Sequence, residues 1–314
     1  MADIEFPELG AVWLRGKRLL LFGCLLFGWA SVRAGAQAVP TAPTGKETLV
    51  WSDEFNGNVR RGQPDPAKWT YDTGSSGWGN KELETYCAWG SNASPCTAEQ
   101  PSAYLLGDGY LHIVARKMGD GVYSSARLKT QSLHGFLYGR IEARIRIPVG
   151  QGIWPAFWML GDSIAAVGWP ACGELDIMEN IGKTPSTVYG SIHAPGGDLT
   201  KSLTLPDSQT LGEAFHVYGM IWSPGRVQFY FDNPSNVYAR YTPADLPKGA
   251  IWPFDTGKFF ILLNVAVGGN WPGNPDSSTK FPQEMLVDYV RVYAEGQDSP
   301  KAAAEHSSVR EILH

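Results

Sequence analysis

Between residues 48 and 295 the chain repeats one pattern, short runs that alternate apolar and polar residues between glycine, proline and asparagine. Ile141, Ala143, Ile145 and Ile147 alternate with Arg140, Glu142, Arg144 and Arg146, which gives one dry and one wet face. Leu111, Ile113 and Ala115 alternate with His112 and Arg116, and Val227, Phe229 and Phe231 repeat the period, as do Val287, Tyr289 and Tyr293. A period of two predicts strands. There is no long helical periodicity and no internal repeat; short helical turns are expected only at 65–69 and 211–214. Many short strands without crossover helices imply an all-β chain, an antiparallel two-sheet β-sandwich.

One segment combines the alternation with charge. In the run Gly-Glu-Leu-Asp-Ile-Met-Glu-Asn at 173–180, Leu175 and Ile177 alternate with Glu174 and Asp176. Strict alternation would put Met178, not Glu179, on the acidic face. One extra residue, a β-bulge near Met178, brings Glu179 to the side of the other two acids. The alternative is a solvated face carrying three acids by chance, but like charges crowded on one strand face repel.

Composition agrees with this picture and narrows the partners. The 36 Gly, 22 Pro and 12 Trp among 314 residues fit many turns joining aromatic-rich strands. Charged residues make up 18% and the net charge is −5, without the basic stripe of a nucleic-acid binder, so no nucleic-acid partner is expected.

Near the N-terminus, Arg15, Lys17 and Arg18 precede an apolar run at 19–30, and Ala34, Ala36 and Ala38 follow. This is the order of a secretory signal, and the apolar run is short for a membrane span. The expectation is a leader at 1–38, a linker at 39–47, one domain at 48–296 and a disordered tail at 297–314. The product would be a secreted monomer, free of the membrane once the leader is cleaved; an uncleaved anchor is the alternative. In an exported chain Cys87 and Cys96, nine positions apart, are candidate disulfide partners, while Cys172 has no obvious mate. No CxxC pair or His cluster suggests zinc. Asn92-Ala-Ser94 matches a glycosylation sequon.

Three acids on one strand suit two chemistries. Oxygen-rich sites bind calcium, yet further ligands would have to come from elsewhere, and the neighbours here are aromatic. Glycoside hydrolysis fits better: one carboxylate attacks the anomeric carbon, a second protonates the leaving oxygen, and a third between them orients the nucleophile.

The run Trp-Pro-Ala-Cys-Gly-Glu-Leu-Asp-Ile-Met-Glu-Asn-Ile-Gly at 169–182 resembles the signature of glycoside hydrolase family 16 in its bulged E-x-D-x-x-E form. The resemblance extends through the segments at 51–55, 77–86, 139–144, 154–160, 215–222, 264–271 and 287–293, and is nearest to the bacterial laminarinases, endo-β-1,3-glucanases. It implies a jelly roll with an open sugar cleft across a concave sheet. Glu174 would be the nucleophile, Glu179 the general acid/base with the raised pKa, and Asp176 the helper of Glu174. The configuration would be retained and no cofactor would be needed for catalysis. Trp154, Trp158 and Trp271 are the candidates for stacking on sugar faces, with core packing as the alternative. His193 aligns with the family's cleft histidine, against the alternative of a satisfied core residue. Asn80 and Glu82 lie in a loop that lines the donor side. Arg116 and Arg144 are expected on solvated sheet faces. A structural calcium is implied at Asp288, Glu54 and Gly109. The implied substrate is a β-glucan polysaccharide or oligosaccharide. Mixed-linkage glucan, agarose or carrageenan, transglycosylation, and non-catalytic glucan binding are the alternatives.

Overall fold

The alternating runs are strands of two stacked sheets in the structure, a computed structural model that describes residues 47–57, 61–207 and 209–294. The expected leader, nearly all of the linker and the tail lie outside the described residues.

Numbered in chain order, one sheet runs β15 (Val237–Tyr241), β14 (Arg226–Phe231), β13 (His216–Ser223), β8 (Gly139–Arg146), β17 (Gln283–Ala294), β5 (Leu111–Gly119), β6 (Val122–Ser125), β3 (Glu84–Tyr86). In addition β1 (Thr48–Asp53) pairs with β17 and β4 (Ala103–Leu105) with β5. The other sheet runs β12 (Gly197–Thr204), β11 (Thr187–Ala194), β10 (Glu174–Glu179), β9 (Ile153–Gly161), β16 (Phe259–Val267), β7 (Arg127–Lys129), β2 (Thr70–Asp72). Pairing among these strands is antiparallel except between β3 and β6, which run parallel. The sandwich is thus as expected, with one parallel pair added at its edge.

The core lies between the sheets. Ile141, Ala143 and Ile145 of β8, Leu111, Ile113 and Ala115 of β5, and Val227 and Phe229 of β14 are sealed from solvent on one side. Ile153, Phe157 and Met159 of β9, and Leu175, Ile177 and Met178 of β10, meet them from the other. Each of the larger side chains among them contributes roughly 1.5–3 kcal/mol by leaving water. Among the described residues the helical elements are one turn at α1 (Ile164–Val167) and a 3₁₀ turn at Pro243–Asp245, neither of them expected. The turn expected at 65–69 is present, closed by the Trp69 N–H on the Asp65 carbonyl at 2.9 Å, and 211–214 is also a turn.

Cys87 and Cys96 form a disulfide, and Cys172 is free and buried. Closing so short a loop contributes about 2–3 kcal/mol.

Two glycines pin the ends of the β10 segment. Gly173 has φ +78°, and a Cβ there would come within 2.8 Å of Pro253. A Cβ on Gly182 would lie 1.8 Å from the Gly150 carbonyl oxygen. Both ends of the acidic strand are therefore seated directly against neighbouring backbone and core.

Candidate active site

The bulge falls where the spacing of the acids requires it. Asp176 pairs with Ser191 of β11 and Trp158 of β9, and Glu179 pairs with Tyr189 and Ala156. Two residues of β10 thus span an interval that each neighbour covers with one. The extra residue turns Ile177 and Met178 both into the core, and Glu174, Asp176 and Glu179 all emerge on the opposite face.

That face is the floor of a cleft of about 580 Å³. All six residues expected to bind substrate line it: Trp154, Trp158, His193, Trp271, Asn80 and Glu82. The outer acids each accept an indole N–H, Glu179 Oε1 from Trp154 at 2.9 Å and Glu174 Oε2 from Trp169 at 2.8 Å. Trp271 stands edge-on to Trp154, with centroids 5.4 Å apart, and to Tyr189 at 5.0 Å. Trp158 does double duty: it packs on a small apolar cluster of Leu160, Cys172, Phe260 and Leu262, and it donates to Asn264 Oδ1 at 2.7 Å. Asn264 donates on to the Tyr86 hydroxyl at 3.1 Å, and Tyr86 to Glu82 Oε2 at 3.0 Å, while Asn80 holds the other Glu82 oxygen at 3.1 Å. His193 is half-buried at the cleft wall, its Nε2 3.1 Å from Asp176 Oδ2 and its Nδ1 3.0 Å from Asp198 Oδ1.

Residues 91–291 match the family described as Glycosyl hydrolases family 16. This chain belongs to that family. A β-glucanase of Rhodothermus marinus is 39% identical over 260 residues, covering 78% of this chain and 84% of that protein. A glucan endo-1,3-β-glucosidase A1 of Niallia circulans is 33% identical over 79% of this chain, which spans only 38% of that longer protein. Among solved structures, the catalytic domain of an endo-1,3-β-glucanase (laminarinase) from Thermotoga petrophila RKU-1 matches with a TM-score of 0.70. It is 40% identical, and the match covers 80% of this chain and 99% of that one. The chain is accordingly a family 16 glycoside hydrolase, acting on O-glycosyl bonds of glucans in a family whose catalysis needs no cofactor.

The electrostatics of this family 16 site are set by crowding. Burial pushes Glu174 up to about 8, and repulsion from Asp176 adds to it, while His193 and the Trp169 N–H pull the other way. Burial also pushes Asp176 up to about 7. Glu179 is driven well above the usual carboxylate range by burial, then by Asp176 and Glu174, against the Trp154 hydrogen bond. The expectation that Glu179 has the raised pKa holds, but it is not alone: all three acids rise, because they share one dry floor. A set so coupled can keep one carboxyl protonated beside an ionised partner, which is what acid catalysis next to a nucleophile demands.

Several cleft residues escaped the sequence reading. Trp169 was visible only as part of the signature, not as a ligand of Glu174. Arg127 lies 4.5 Å from the Trp158 ring centroid and 5.0 Å from that of Trp78, with its Nε 3.1 Å from Asp72. Asp198 and Asn264 also line the cleft. Arg116 and Arg144 are not simply solvated: Arg116 donates to the Pro101 carbonyl at 3.1 Å, and Arg144 donates to Asp288 Oδ2 at 2.5 Å.

On the other sheet, ladder register gathers the three calcium candidates. Val287 pairs with Leu111, two residues past Gly109, and Val290 pairs with Asp53, next to Glu54. Asp288 lies between those two pairings. The Glu54 carboxylate is engaged by Arg291 at 3.0 and 2.8 Å, which leaves the main-chain carbonyl as the oxygen Glu54 can offer.

Proposed function

We propose that this chain is a secreted, retaining endo-β-1,3-glucanase of the laminarinase type. The observation that carries the reading is the bulged β10, on which Glu174 and Glu179 each face a tryptophan-walled cleft with an indole N–H on one carboxylate oxygen. Indole faces suit the apolar C–H faces of a neutral glucan. The similarity to laminarinases supports the β-1,3 linkage.

In the proposed reaction the Glu174 carboxylate attacks the anomeric carbon while the Glu179 carboxyl gives its proton to the departing glycosidic oxygen. A glycosyl ester on Glu174 results. Glu179, now a carboxylate, takes a proton from water, whose oxygen attacks the same carbon and releases Glu174. Two displacements restore the original configuration. Asp176 lies between the two, and its repulsion raises the Glu174 pKa, which makes the Glu174 carboxylate the stronger nucleophile in the first step.

Laminarin, lichenan, agarose and carrageenan, assayed side by side with proton NMR of the first-formed anomer, test this. The expected result is fastest cleavage of laminarin, a ladder of mid-sized oligosaccharides, and β-anomer as the initial product. Initial α-anomer, or cleavage confined to another polymer, would overturn it.

A calcium ion on the opposite sheet is part of the same proposal, held by the Asp288 carboxylate and the Glu54 and Gly109 carbonyls. An all-oxygen set suits a hard cation. The half-exposed Arg144 partner of Asp288 is a weak competitor, since such pairs are worth about 0–1 kcal/mol. Calcium should raise the melting temperature and EGTA should reverse the gain; identical melts in both would remove the ion. Secretion is supported by the leader-like pattern and the disulfide, and the mass of protein recovered from culture medium tests it.

A further inference from the structure

His193 is held in a way that creates a cation-shaped gap. Its Nδ1 lies 3.0 Å from Asp198 Oδ1, and a carboxylate can only accept, so Nδ1 carries the hydrogen. In the neutral ring Nε2 is then a bare lone pair, and it faces Asp176 Oδ2 at 3.1 Å. Two lone pairs at that distance repel unless a proton or a metal ion lies between them. Asp176 is only 2% exposed, and its Oδ2 takes no hydrogen bond among the described residues. A proton, carried on Nε2 or on Asp176 Oδ2, is one way to fill the gap. A metal ion is the other.

The third wall of the gap is Glu174. One oxygen of Glu174, one of Asp176 and one ring nitrogen of His193 lie within 4.8 Å of one another. Ligands around tetrahedral zinc sit about 3.4 Å apart, so small side-chain rotations bring the three onto one ion. Donor type sets the metal class: an imidazole with two carboxylates favours zinc, nickel or copper over calcium or magnesium. Asp198 adds the outer carboxylate that orients a zinc-bound histidine and makes it a stronger donor.

We propose that Glu174, Asp176 and His193 form a reversible binding site for one divalent transition-metal ion, with zinc as the test ion, and that its occupancy shuts off hydrolysis. The ion would tie up the carboxylate that attacks and the wall of the cleft at once, so it excludes glucan. The inhibition rests on the catalytic reading given above; the binding does not.

Calorimetric titration of ZnCl₂ into the chelator-stripped full chain, with calcium present throughout, tests the site. One zinc per chain is expected, in the micromolar range. His193→Ala should lose that binding. Asp198→Asn, which keeps all three ligands, should weaken it about 10–100-fold. His112→Gln, on the other sheet, should leave it unchanged. Laminarin hydrolysis should fall as zinc rises, less so at high laminarin, and recover with EDTA. Equal zinc affinity in wild type and His193→Ala would overturn the site. Should His193→Ala fail to fold by circular dichroism, unchanged affinity in Asp198→Asn overturns it instead. Stoichiometric binding with undiminished hydrolysis would move the ion off the acids. A chain that binds zinc in this pattern yet hydrolyses no glucan would keep the metal site and remove the glucanase reading.

Discussion

Trp169 donates its indole N–H to Glu174 Oε2 across 2.8 Å while more than half of its own surface stays in water, at 55% exposed. The donor favours the ionised carboxylate and pulls the Glu174 pKa down against burial. Trp154 does the same for Glu179 from inside the cleft. One indole thus serves each end of the proposed catalytic pair.

Replacing each indole by phenylalanine keeps a ring and deletes the donor. Glu174 must be ionised to attack, so Trp169→Phe should shift the acidic limb of the kcat/KM profile to higher pH. The rate on that limb should fall about tenfold, the worth of one hydrogen bond to a charged group. Glu179 must be protonated to act as acid, so Trp154→Phe should move the basic limb, also upward. Profiles measured on a soluble laminarioligosaccharide check both. If Trp169→Phe moved only the basic limb, the roles of Glu174 and Glu179 would have to be exchanged.

Glu174→Gln should abolish hydrolysis, by about 10³-fold or more, while the protein still folds and binds oligosaccharide. It should also stabilise the fold. Glu174 is pushed up to about 8 from an ordinary 4.5, first by burial and then by Asp176. Between those values the folded chain keeps a proton that the unfolded chain releases, so stability drains away as pH climbs through the window. Glutamine does not titrate. The melting temperature of the variant should therefore pull ahead of wild type from pH 5 to pH 8. A constant gap across that range would count against a raised Glu174.

His112, on the far sheet, is favoured in its charged form where Glu174 is penalised in its own. Its Nδ1 lies 2.8 Å from Glu284 and its Nε2 3.0 Å from Asp108, beneath a stacked Tyr104 ring 4.9 Å away. Burial disfavours the imidazolium, but Glu284 and Asp108 outweigh it and the pKa rises above 6.5; Glu284 is lowered in return, chiefly by its bond to His112. The His112 contribution is complete below pH 6.5 and lost as pH rises through the raised value. The Glu284 contribution is present above 4.5 and lost as pH falls below it. The two overlap between pH 4.5 and 6.5. Both carboxylate partners are more than a third exposed, which limits the gain to about 1 kcal/mol. His112→Gln should lower the melting temperature by about 2–4 °C within that window and less at pH 8. Thermal melts at pH 5.5 and pH 8 decide it.

The sandwich was legible wherever a strand has one wet face. Alternation in β8 reports a buried side against a wetter side, and Ile141, Ala143 and Ile145 fall on the side predicted; in β5 and β14 the same period is present, but His112, Gln228 and Tyr230 on the other face are buried as well. The rule goes silent at β16, where all nine residues from Phe259 to Val267 are buried and no period survives. The bulge was legible because carboxylates are poor core residues: Glu179, out of phase with Asp176, had to be brought back to the face. What was not legible depends on contacts between distant segments. Nothing local to Arg127 announces that it packs against Trp158, and nothing local to Asp198 says that it grips His193 across a hairpin. The parallel pairing of β3 with β6 likewise depends on how a long loop returns to the sheet, not on the three residues of β3.

That short strand supplies the last prediction. Glu84 is sealed from solvent, and its Oε2 accepts the Val267 N–H at 2.7 Å while the Leu83 N–H binds the Val267 carbonyl at 2.8 Å. The segment thereby clamps the end of β16, the strand that carries Asn264. Burial, then repulsion from Glu82, drives the Glu84 pKa well above 4.5, so the side chain works as a neutral carboxylic acid. Glutamine is neutral too and offers the same acceptor. Glu84→Gln should match or exceed wild-type stability, with its advantage growing as pH rises above 4.5. Glu84→Ala leaves the Val267 N–H unpaired and opens a void, at a cost of about 2–4 kcal/mol and a melting temperature lower by roughly 5–15 °C. Because Glu82 is tied to Asn80 and Tyr86 at the cleft rim, the alanine variant should raise KM for laminarin more than it lowers kcat. Equal damage from Gln and Ala would mean that Glu84 acts as a charged group after all.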